Sequence, residues 1–168
     1  MIHDLLDVSR IRAGETLTLQ FIPCDLSGVI HEVLEEMSIV HGDRFQFYSK
    51  KSFDGSWGCE GIRRAVENLV GNAVKYSTPN TPILVSILEN SNQILISVHN
   101  IGNVIPAEDI PNLFLPHKRS NAAKKGNKQG WGLGLTLVKG VVEAHDGSVE
   151  VESSEEKGTT FTLLIPLK

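Results

Sequence analysis

The sequence predicts a two-layer α/β sandwich, in which three helices cover one mixed, mostly antiparallel sheet. Two observations carry the prediction. Asp25–Met37, Glu60–Tyr76 and Leu133–His145 each place apolar residues at helical spacing. Around them, short apolar or alternating runs are bounded by Asn, Gly, Pro and Asp, the pattern of strands joined by turns. With 168 residues and 40% hydrophobic content, the chain has the material for one core.

Taken in order, Ile2, Leu5, Leu6 and Ser9 recur at helical spacing and Ala13-Gly14 supplies a stop, so residues 1–14 read as the end of a helix and 15–168 as the domain. Leu17–Phe21 alternates as a short strand that Pro23 ends. Asp25 is placed to cap a helix that buries Val29, Ile30, Val33, Leu34 and Met37. Arg44–Lys50 alternates again, with Phe45 and Phe47 on one side. Glu60–Tyr76 is a second helix, turning Ile62, Ala65, Val66, Leu69, Val70 and Ala73 inward. Thr81–Glu89 and Gln93–His99 form a hairpin around residues 90–92. Residues 100–132 are expected to be mostly irregular, because Pro106, Pro111, Pro116 and several glycines interrupt them. A third helix, Leu133–His145, stops at Asp146-Gly147, and strands Ser148–Ser153 and Thr159–Pro166 follow.

Composition excludes several classes. A net charge of −4 argues against general nucleic-acid binding. Cys24 and Cys59 have no metal-ligand or redox spacing, so they read as reduced structural residues in a reducing, cytoplasmic setting. No apolar run approaches the ~20 residues of a membrane span, and Asp4 and Asp7 interrupt the first apolar stretch, so no secretory signal is expected.

Chemistry concentrates in three places. Asn68 and Asn72 lie four apart on one helix and so point the same way, followed by Lys75 and Tyr76. Asparagine is a poor helix former, so two on one face suggest ligands: an amide oxygen suits magnesium, and lysine suits phosphate. Downstream, Gly130, Gly132 and Gly134 alternate with Trp131, Leu133 and Leu135 just ahead of a helix, where backbone N–H groups can meet phosphate. Directly before them, His117–Gly130 contains Lys118, Arg119, Lys124, Lys125 and Lys128 and no acid, as a lid that screens phosphate charge would. Asn100, at the end of a strand, can accept from the exocyclic amine of a purine, and Gly102 lets the ring come close. The pairs His3-Asp4 and His31-Glu32 have ordinary helical explanations and are not expected to be catalytic.

These segments together resemble the catalytic ATP-binding domain of sensor histidine kinases, a member of the Bergerat-fold ATPase superfamily. Residues 64–77 are similar to its asparagine box, Asn100 to Gly102 to its first glycine box, Leu113-Phe114 to its phenylalanine box, 130–135 to its second glycine box, and 158–161 to its closing strand motif. Residues 1–14 resemble the end of the second dimerisation helix. The first glycine box is like that of bacterial phytochrome-type kinases. The resemblance implies ATP and Mg2+ as ligands, with Asn72 holding the metal and Asn68 assisting at the metal or phosphates. It places Lys75, Lys118 and Arg119 at the phosphates and Tyr76 near adenine, with Asn68, Lys75 and Arg119 as the catalytic group. It further implies nucleotide contacts from Asn100, Gly102, Gly130, Gly132, Leu133, Gly134, Leu135 and Thr160. The implied partners are a dimerisation domain carrying the acceptor histidine, a response regulator, and a second copy of the parent protein.

The pattern departs from the family where Asn100 replaces the usual aspartate, Val104 a usual glycine and His117 a usual aromatic residue. The phosphoacceptor motif does not occur, and neither His3 nor His31 fits it. Two other functions stay open: an interaction module of the same fold without nucleotide, and a hydrolytic ATPase. The ATPase relatives resemble one another in carrying a glutamate where Asn68 stands, and an amide cannot be a general base. Glu67 lies one residue off, turned ~100° around the helix.

Overall fold

The computed structural model describes residues 17–115 and 131–167. The helical reading of residues 1–14 lies outside them. Among the described residues the element order is β1 (Ile22–Asp25), α1 (Leu26–His41), β2 (Phe45–Ser49), β3 (Asp54–Trp57), α2 (Cys59–Tyr76), β4 (Ile83–Glu89), β5 (Gln93–Asn100), a 3-10 turn (Ile110–Asn112), α3 (Trp131–Ala144), β6 (Ser148–Ser154) and β7 (Gly158–Pro166). Five strands form one sheet in the order β2-β4-β5-β7-β6; β2 and β4 run parallel and the other pairs antiparallel. The predicted sandwich of three helices on a mixed, mostly antiparallel sheet is the architecture observed.

The core follows from strand alternation. Ile83, Val85 and Ile87 of β4, Ile94, Ile96 and Val98 of β5, and Phe161, Leu163 and Ile165 of β7 all turn to one face. Against them α2 buries Ile62, Ala65, Val66, Leu69, Val70 and Ala73, and α3 buries Leu135, Leu137, Val138, Val141 and Val142. Asp25 caps α1 as expected: its carboxylate accepts from the Ser27 N–H at 3.0 Å and the Gly28 N–H at 3.2 Å. It also accepts from the Phe53 N–H at 2.7 Å, tying the cap to the chain before β3.

The sequence reading needs three corrections here. The first strand is Ile22–Asp25 and includes Pro23, instead of ending at it. Proline is tolerated because β1 pairs only with β3, in a separate two-stranded ribbon, and its missing donor is lost from an edge. Strand β3 was not foreseen. The third correction is chemical. Cys24 and Cys59 are joined in a disulfide, with Cα atoms 6.6 Å apart, and are not free thiols. Folding lays β1 beside the start of α2 and so brings together two residues 35 apart in sequence. The cysteines therefore no longer argue for a reducing compartment.

The two site-bearing helices are pinned to one another. His145, just past α3, is 1% exposed; its Nε2 accepts from the Gly58 N–H at 3.0 Å. That fixes the tautomer, so Nδ1–H donates to the Val141 carbonyl at 2.9 Å. Gly58 precedes α2 and has no side chain to cap the helix, so the imidazole serves one of its orphan donors. On the other side of α2, Glu32 of α1 pairs with Arg63 and holds its guanidinium above its ordinary pKa, chiefly through a side-chain hydrogen bond. His31 pairs at 2.6 Å with Glu35, one turn on, and not with the adjacent Glu32.

Candidate functional site

Helix α2 and strands β5 and β7 enclose a recess of about 310 Å3, open mouth included. Its lining comprises Leu69, Asn72, Ala73 and Tyr76 from α2, Val98 and Asn100 from β5, Asn103 and Ile105 beyond it, and Thr159 and Phe161 from β7. Its walls combine apolar surface with a few polar groups, the mixture that small-molecule sites show.

The walls follow from local sequence. In α2 the residues at 69, 72, 73 and 76 share a face by helical spacing. In β5 and β7, alternation turns Val98, Asn100, Thr159 and Phe161 to the covered side. Phe114 stacks edge-on against Phe161, centroids 6.3 Å apart, and its carbonyl accepts from Thr136 Oγ1 at 3.2 Å. The phenylalanine-box residue thus bears on the recess through its back wall.

Of the expected site residues, Asn72, Tyr76 and Asn100 meet in this recess. Asn72 Nδ2 is buried with no hydrogen-bond partner among the described residues, which leaves a donor for a polar group entering the recess. Asn68 points elsewhere. Its Nδ2 donates to the Arg64 carbonyl at 2.8 Å, and its Oδ1 lies against Gly134 so closely that a Cβ there would stand 2.6 Å from it. The two amides thus fork, Asn72 toward the recess and Asn68 toward the first turn of α3. Lys75 is exposed and does not line the recess.

The glycine-rich segment differs from its expected form. Helix α3 starts at Trp131 instead of Leu133, so Gly132 and Gly134 sit in its first turn and not in a preceding loop. The orphan N–H groups of a first turn remain donors for an anion there. Leu135 is fully buried and is a core residue by its side chain. Lys118, Arg119, Gly130 and the side chain of Leu133 lie outside the described residues.

Gly102 also lets two stretches of backbone meet. A Cβ there would come within 2.4 Å of the Tyr76 carbonyl and 2.7 Å of Ser77 Cα. The glycine lets the end of β5 close on the end of α2, where Thr78 N–H donates to Ile101 O and Asn103 N–H to Tyr76 O. Arg44 braces the same corner, donating to Ser77 Oγ, Thr78 O and Thr81 O. Thr160 lies on the opposite face of β7, where its hydroxyl is 2.8 Å from His99 Nδ1. The threonine in the recess is Thr159, one residue earlier. Asn103, Thr159 and Phe161 were not singled out from sequence; strand alternation starting from Asn100 would have found the last two.

The residues present fit a metal-bound nucleotide by their chemistry. The donor set at Asn72 is a neutral hard amide, and the recess wall combines apolar surface with amide and hydroxyl groups. Among the described residues no cluster of His, Cys, Asp and Glu could hold a metal unaided, so a cation here would need phosphate oxygens as well.

Residues 59–168, which carry every wall of the recess, match the family described as histidine kinase-, DNA gyrase B- and HSP90-like ATPase. The chain belongs to that family. The bacteriophytochrome of Pseudomonas aeruginosa is 25% identical over 169 residues, covering 100% of this chain and 23% of that protein. The heme sensor protein HssS of Staphylococcus haemolyticus is 37% identical over 105 residues, covering 62% of this chain and 22% of that protein. The chain therefore spans about a quarter of the length of either relative. The mycobacterial sensor histidine kinase MprB superposes with a TM-score of 0.75 at 26% identity, over 86% of this chain and 97% of that structure. Among the described residues no helix is long and apolar enough to cross a membrane.

Proposed function

We propose that this chain is the ATP-binding catalytic domain of a two-component sensor histidine kinase, passing the γ-phosphoryl group of ATP to a histidine outside it. The observation that carries the reading is the fork of α2: Asn72, whose Nδ2 is buried without a partner among the described residues, lines the recess beside Tyr76 and Asn100, while Asn68 faces the first turn of α3. The names of the matched relatives support a sensor-kinase setting. In this reading the base enters among Tyr76, Asn100 and Thr159, and the triphosphate crosses the mouth toward the N–H groups of α3, with Lys75 at the phosphates. Asn72 would hold Mg2+, and Asn68 would meet the phosphates at the first turn of α3; when bound, the ion neutralises charge on the phosphates. Lys118 and Arg119 complete the charge screen from the segment before α3.

The protein's part is positioning and electrostatics, which is most of what phosphoryl transfer needs. The bond from the γ-phosphorus to the leaving oxygen of ADP breaks, and one to an imidazole nitrogen of the acceptor forms. Asn68 cannot activate water, and its amide is already donating to Arg64 O, which favours transfer over hydrolysis. The acceptor domain, a response regulator, a homodimeric parent and a cytoplasmic position complete the proposal.

Two measurements test it. Calorimetric titration with a non-hydrolysable ATP analogue and magnesium is expected to show saturable binding; none would favour an interaction module. With a separate dimerisation domain bearing the acceptor, label from γ-labelled ATP is expected on histidine, and release only as free phosphate would favour a hydrolase.

A further inference from the structure

Resting on the reading that this recess takes a purine, we infer that its polar wall accepts a 6-oxopurine as well as adenine, so that the domain uses inosine- and guanosine-type triphosphates alongside ATP. The determinant is a row of three neutral groups crossing three strands. Asn100 of β5 pairs in register with Thr159 of β7, which pairs with Ser153 of β6. Asn100 and Thr159 are each 5% exposed and both line the recess.

Each member of the row can reverse its polarity. The Asn100 side chain has no hydrogen-bonded partner among the described residues that would hold one orientation. The torsion that turns the amide is broad and roughly two-fold, and its oxygen and nitrogen ends have nearly the same shape. Thr159 Oγ1 lies 2.7 Å from Ser153 Oγ, and either hydroxyl can be the donor. Ser153 Oγ already accepts from the Ile105 N–H at 2.9 Å, and this leaves it one further lone pair as well as its own hydrogen. When Ser153 donates, the Thr159 hydrogen is released toward the recess; when Thr159 donates, its lone pairs face the recess.

Adenine offers a donor at its 6-amino group and an acceptor at N1. A 6-oxopurine offers the reverse, an acceptor at O6 and a donor at N1. With the Asn100 oxygen toward position 6 the amide matches adenine; turned over, it matches the oxo form with the same number of hydrogen bonds. A carboxylate at this position would have only acceptors and would repel O6. Among the described residues every polar side chain lining the recess is an amide or a hydroxyl, so none of them carries a fixed charge that restores the discrimination.

The test compares ATP with inosine triphosphate, which carries the 6-oxo edge without the 2-amino group of guanine. Dissociation constants are measured by calorimetry with magnesium for the chain and for Asn100→Asp, a substitution of equal shape. The chain itself is expected to bind inosine triphosphate within about tenfold of ATP. In Asn100→Asp the ratio of the two dissociation constants is expected to shift against inosine triphosphate by at least about a hundredfold, whatever happens to ATP itself. ATP binding with inosine triphosphate more than tenfold weaker in the unaltered chain overturns the inference and leaves the proposed function standing. Failure of both nucleotides overturns both. If Asn100→Asp does not fold, the ratio in the unaltered chain still decides.

Discussion

Reducing the Cys24–Cys59 disulfide is expected to cost this domain roughly 4 kcal/mol of stability. The bridge closes a loop of 35 residues. In the chain-entropy treatment, a loop of that length restricts the unfolded chain by about 13 cal/mol/K, or roughly 4 kcal/mol at 25 °C. Cys59 is buried among apolar neighbours, where a free thiol is tolerated as a small apolar group, so the loss is taken from the loop-closure effect. Against a typical total of about 5–15 kcal/mol the effect is large. For a domain of this size it corresponds to a fall in Tm of about 8–16 °C. The assay is urea denaturation of one preparation under oxidising and reducing conditions, with thiol titration to confirm the state of both cysteines. The oxidised midpoint is expected to be higher with a similar slope. A difference below about 1 kcal/mol, with two thiols counted in the reduced sample and none in the oxidised one, would refute the reasoning. Cys59 opens α2 and Asn68 follows it by about 14 Å along the helix, so nucleotide affinity measured well below the melting range is expected to be unchanged.

Four substitutions probe the site and its supports. Asn72→Ala removes an amide whose nitrogen has no partner among the described residues, so stability is expected to change by less than ~1 kcal/mol while magnesium-dependent binding falls at least about tenfold; unaltered affinity would remove Asn72 from its role. Gly134→Ala pushes a methyl group against Asn68 Oδ1, the far end of a rotatable side chain, so affinity is expected to drop while Tm moves little; a collapse of Tm with intact affinity would contradict this. Gly102→Ala meets backbone atoms that cannot move aside, and chemical denaturation is expected to show a loss of about 2–4 kcal/mol. His145→Ala leaves the Gly58 N–H without its acceptor and opens space beside Phe21; the same measurement is expected to show about 2–4 kcal/mol, and an unchanged midpoint would mean that the cap contributes nothing.

Helix α2 and the β4–β5 hairpin were legible because their apolar periodicity runs long enough to outvote single residues, and α2 begins within one residue of the expected start. Strand β3 was not legible because Asp54, Gly55 and Ser56 are poor strand formers, recruited by pairing with β1. The disulfide escaped for a related reason: tertiary packing, not spacing, makes the cysteines neighbours. In the site, Asn72, Tyr76 and Asn100 stood out because polar groups on an apolar face ask for an explanation. Thr159, not Thr160, turns to the recess, because neighbours on a strand face opposite sides and the sequence alone does not say which side is covered. Gly102 was noticed as special, but nothing in its neighbours along the chain says whether a ligand or another stretch of backbone needs the room.

Because the Gly58 amide hangs on His145, and Gly134 makes room for Asn68, helices α2 and α3 are matched at two separate points along their contact. Sliding one past the other would cost the hydrogen bond and bring a bulkier residue against Asn68, so the register of the pair is set twice over.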